Sequence, residues 1–120
     1  MENAYDALRL RIEKFVLERD WSQFHSPKNL AICLSVEASE LLAHYTWTRQ
    51  AGDEGPPGTQ SPDTTLVAAE AADVFISLLN FCHVSDIDLL KATHEKLVVL
   101  ESKYPVALSK GSAVKNPGNI

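Results

Sequence analysis

The stretch Leu66 to His83, LVAAEAADVFISLLNFCH, decides the fold. Leu66, Val67, Val74, Phe75, Ile76, Leu78, Leu79 and Phe81 spread apolar side chains almost all round a helix. The polar residues are not scattered in the same way. At about 100° per residue, Glu70, Asp73, Ser77 and Asn80 fall within a band roughly 80° wide. An apolar helix with one narrow polar stripe is usually buried, its stripe facing a cavity. Strands alternate with a period of two, and no convincing pattern of that kind occurs in the chain. The expectation is an all-α protein.

Upstream, Ser26-Pro27 marks a helix start, because serine caps free amides and proline suits the first helical position. Neither Gly nor Pro occurs from Lys28 to Gln50, which predicts a long second helix. Leu30, Cys33, Leu34, Leu41 and His44 share one of its faces, with Glu37 in the middle of that face and Glu40 at its edge. A first helix is expected from Ala4 to Arg19, with Tyr5, Leu8, Ile12 and Phe15 at helical spacing, followed by an aromatic-rich connection from Trp21 to His25. Residues 51–64, AGDEGPPGTQSPDT, read as a flexible loop, after which Asp63 or Thr64 caps the third helix. Ser85, with Asp88 three residues on, resembles a capping box for a fourth helix. That helix ends near Tyr104, since Pro105 cannot continue it. The expected organisation is one helical domain over residues 1–105 and a C-terminal tail over 106–120.

The 120 residues suffice for one core but not two. Cys33 and Cys82 stand singly in apolar stretches, which reads as two reduced core thiols and not as a disulfide or zinc site. A net charge of -5 argues against a broad nucleic-acid-binding surface. No uninterrupted apolar run nears membrane-spanning length and no basic-then-apolar leader opens the sequence, so the expectation is a cytoplasmic protein without a membrane partner.

The acids carry the chemistry. A glutamate in the centre of an apolar stripe is costly to bury unless it is paired or bound to metal. Packing the second and third helices face to face gathers Glu37, Glu40, Glu70 and Asp73. Like charges at that range cannot all stay ionised without a cation, and oxygen-only ligands suit Mg²⁺ or Mn²⁺. The competing reading of either acid pair alone is a solvated helix face. A di-iron carboxylate bundle is a further alternative, but no Glu here has a His three residues later.

Several motifs together resemble a known family. They are the run from Trp21 to Trp47 with its W-x-x-FH opening, the ExxE and ExxD pairs some thirty residues apart, Trp47 seven residues after Glu40, and KYP-VALS-KGS from Lys103. In these the chain resembles the MazG-like nucleotide pyrophosphohydrolases, nearest to their dCTP pyrophosphatase branch, over roughly residues 5–115. The resemblance implies a MazG-like four-helix arrangement that dimerises or tetramerises, with sites formed between subunits. It also implies hydrolysis of (deoxy)nucleoside triphosphates to monophosphate and pyrophosphate, in house-cleaning of the dNTP pool.

Carried over position by position, Glu37, Glu40, Glu70 and Asp73 match the metal ligands, and Glu40 or Glu37 is a candidate general base. Trp21, His25 and Trp47 match positions that enclose the base, where flat rings favour stacking. Core or interface packing is their other reading, and Phe24 is expected in the core. Lys96, Tyr104, Lys110 and Lys115 match positions near the phosphates, and Lys28 and Asn29 are further candidates for a phosphate or sugar. Ser77 stands where relatives usually carry Tyr, and Leu100 where they usually carry Asn, which predicts altered base or sugar discrimination. The alternative function is a helical interaction module that has kept the fold and lost catalysis.

Overall fold

A computed structural model describes residues 3–46 and 62–115. Among the described residues the chain is all helical, as the patterning predicts, with no strand. The elements are α1 (Ala4–Glu18), a 3-10 turn (Ser22–Phe24), α2 (Pro27–Ala43), α3 (Thr64–Val84), α4 (Leu89–Lys103) and α5 (Val106–Ser109).

Each long helix starts where a short polar side chain satisfies free amides. The Asn29 amide donates to Ser26 Oγ at 3.1 Å, and the amides of Thr65 and Leu66 donate to Asp63 Oδ1. The fourth helix departs from expectation: Asp88 caps it, accepting from the Lys91 amide at 3.1 Å, while Ser85 closes the end of α3. The second helix is also shorter than the Gly- and Pro-free run allows. It tightens beyond Ala43, where the Tyr45 and Thr46 amides reach back three residues to Leu42 and Ala43. In the expected tail, Val106–Ser109 forms a short fifth helix.

The end of α1 sets the entry to α2. Asp20 adopts a left-handed conformation at φ 55°, its amide donating to the Leu17 carbonyl and the Trp21 amide to that of Val16. This is a Schellman closure with Asp in the usual place of Gly. It brings Trp21 edge-on to Phe15, ring centroids 5.6 Å apart.

Two compact units are present, Met1–Asp86 and Ile87–Ile120. In the first, α2 packs along α3 and α1 rests on α3. Ile12, Val16, Leu30, Leu79 and Cys82 are its buried apolar residues. Glu13 accepts from Arg9 Nη1 at 2.8 Å and lies 3.2 Å from His83 Nδ1, tying α1 to the last turn of α3. The second unit holds α4 and α5.

Three expectations are corrected. Cys33 is exposed, and only Cys82 is a core thiol. Phe24 is 62% exposed, because the 3-10 turn aims it away from the core. Finally, α3 is long and apolar enough to cross a membrane by length and composition, at a mean hydropathy of 1.5. Glu70 and Asp73 break its apolar run, which is why reading for an uninterrupted stretch passes over it.

Candidate active site

The contact of α2 with α3 builds the site. Glu37, Glu70 and Asp73 each bring one carboxylate oxygen within 4.8 Å of the others. Glu40, one turn along α2 from Glu37 and exposed at the edge of the stripe, also acts on Glu70. The Glu37 carboxylate lies close enough to share a proton with Glu70. Together with burial and the charge of Glu40, it pushes the Glu70 carboxyl up to about 7. Glu37 Oε2 and Glu70 Oε2 are buried with no hydrogen-bond partner of their own. These orphaned oxygens, with the exposed Asp73 beside them, suit a hard divalent cation, or in its absence a proton. His44 Nε2 also stands 3.9 Å from Glu70 Oε1.

Trp21 and His25 precede α2. Trp21 is held against Phe15, whose other contact is the Arg19 guanidinium 3.7 Å above its ring. His25 is half-buried just before α2. From Pro27 to Glu37 the helix rises about 15 Å, so this aromatic group and the carboxylates occupy successive stations along one helix. Trp47 lies outside the described residues. Lys28 is exposed in the first turn of α2, whereas the Asn29 side chain donates to the Phe24 carbonyl at 3.1 Å and braces the turn. Ser77, half-buried, follows Asp73 by one turn on α3.

In the second unit, Lys96 is exposed on α4 and Leu100 is half-buried. The Tyr104 amide donates to the Leu100 carbonyl at 2.8 Å, and the Lys103 ammonium stands 5.6 Å from the Tyr104 ring. Lys110 and Lys115 are both exposed. His44 is the site residue that sequence reasoning passed over. Its spacing of seven from Glu37 placed it on the acidic face, but only the packing shows that it meets Glu70.

Carboxylates gathered from two adjacent helices of an all-α chain fit one class, the MazG-like pyrophosphatases, and this chain belongs to that family. The crystal structure of a pyrophosphatase from Archaeoglobus fulgidus superposes with a TM-score of 0.76 at 34% identity, covering 88% of this chain and 95% of that one. The dCTP pyrophosphatase 1 of Rattus norvegicus is 38% identical over 110 residues, and that of Homo sapiens 34%. These alignments take in 92% of this chain, which spans 64% of the length of the curated relatives it matches. No family model matches the sequence.

Proposed function

We propose that this protein is a Mg²⁺-dependent hydrolase that splits (deoxy)nucleoside triphosphates into monophosphate and pyrophosphate, cleansing the cytoplasmic dNTP pool. The observation that carries the reading is the trio Glu37, Glu70 and Asp73, with two buried oxygens that no hydrogen bond satisfies. These three residues, with Glu40 beside them, would hold the cation, Mg²⁺ or Mn²⁺. When bound, it neutralises triphosphate charge and acidifies the attacking water.

The chain's own residues then divide the work. Glu40, exposed at the edge of the cluster, takes the proton of the water whose oxygen attacks phosphorus. As that P–O bond forms, the anhydride oxygen leaves with pyrophosphate, and Glu40 passes its proton to solvent. Glu37 is the other candidate for this base. Trp21, His25 and Trp47 enclose the base of the nucleotide. The 15 Å rise from Pro27, just after His25, to Glu37 is on the scale of an extended nucleotide. The family resemblance gives Lys96, Tyr104, Lys110 and Lys115 roles at the phosphates. Ser77 and Leu100, in place of a ring and an amide, alter base or sugar discrimination, and the preferred substrate is dCTP or a modified nucleotide.

Self-association completes this reading. Leu66, Phe75 and Ile76 on α3 and Leu8, Phe15 and Leu17 on α1 are exposed, an apolar surface that self-association would take out of water. A homodimer or homotetramer covers it, and light scattering at the mass of a single chain would refute that part. The activity is tested by pyrophosphate release from a panel of dNTPs and modified dNTPs, with Mg²⁺ and with EDTA. Turnover that EDTA abolishes is expected. No turnover on any member of the panel would point to an interaction module instead.

A further inference from the structure

Within the same reading of the acid cluster, we infer that His44 is a positioning residue. Its imidazole holds the Glu70 carboxylate from behind, so that this acid presents its free oxygen to the cation.

Glu70 is the most crowded of the acids. Glu37 and Glu40 both act on it. His44 Nε2 comes within 3.9 Å of its Oε1, with both side chains largely shielded at 26% and 12% exposure. The two oxygens of Glu70 are therefore unequal: Oε1 faces an imidazole nitrogen, and Oε2 is buried without a hydrogen bond. Ligating carboxylates work best when an outer partner fixes their orientation, and removing such a partner typically weakens metal binding 10- to 100-fold.

Position 44 suits the task for local reasons. Seven residues from Glu37, it returns to the same face of α2 two turns on. It is also the C-cap residue, where the helix tightens and the backbone is held by bonds to Leu41 and Leu42. Among the described residues no Lys, Arg or other His stands within ion-pair range of Glu70.

The test uses Mn²⁺ binding to the full-length, nucleotide-free protein, followed by electron paramagnetic resonance and calorimetry. His44→Phe keeps a ring of similar size without an N–H, His44→Leu is a smaller alternative should the ring not be accommodated, and His44→Gln restores an N–H at similar reach. Mn²⁺ binding weakened about tenfold in His44→Phe or His44→Leu, and restored in His44→Gln to within about threefold of the parent, is the expected pattern. Parent-like binding in His44→Phe and His44→Leu overturns the role of His44 while leaving the cation site standing. Equal weakening in all three variants assigns His44 to packing and overturns the role as well. Absence of Mn²⁺ binding by the parent protein overturns the cation site itself.

Discussion

Raising the pH from 6 to 8 should tighten divalent cation binding about tenfold. The cation needs an ionised Glu70, whose carboxyl is held up to about 7 by Glu37, by burial and by Glu40. With a pKa of about 7, roughly 9% of Glu70 is ionised at pH 6 and roughly 91% at pH 8, and apparent affinity scales with that fraction. An ordinary carboxyl at 4.5 would be almost wholly ionised at both values, and affinity would stay flat. The assay is Mn²⁺ titration by calorimetry in buffers of different ionisation enthalpy. It should also report nearly one proton released per cation at pH 6 and about a tenth of one at pH 8.

The same linkage sets stability without metal. Between pH 4.5 and about 7 the folded chain binds more protons at Glu70 than the unfolded one, so stability falls as pH rises through that window and levels off above it. Added cation should reverse the fall. Flat affinity together with no proton release would refute the claim that Glu37 and Glu40 crowd Glu70 into holding its proton.

Replacing Glu37 with Gln should reduce pyrophosphate release to the level seen with EDTA. It should leave the helical circular dichroism intact and, at pH 8, raise the metal-free melting temperature or leave it unchanged, because an uncompensated charge is gone. Ser26→Ala removes the acceptor of the Asn29 amide and should cost about 1 kcal/mol in urea unfolding, with unchanged slope. Leu79→Ala, at a position 3% exposed between the helices, should cost about 2–5 kcal/mol by the same measurement.

The helices and their starts were legible in the sequence because capping and periodicity are local. Ser26-Pro27, Asp63 and the apolar run of α3 act on amides and faces within a few residues of themselves. The acidic stripes were legible for the same reason, since a single helix fixes which of its residues share a face. Where two local signals competed, reading failed: Ser85 and Asp88 could each have capped α4, and the backbone chose Asp88 once Ser85 was taken up in closing α3. The end of α2 was likewise invisible, because neither Gly nor Pro marks it.

What only the tertiary structure decided is how strongly the charges act on one another. Sequence put Glu37 and Glu70 each on a stripe, about thirty residues apart, but electrostatic crowding falls with distance and cannot be read until two helices are side by side. The packing of α2 on α3 singled out Glu70 as the acid that shares its proton, left two oxygens buried without partners, and turned His44 from a face residue into a neighbour of the site.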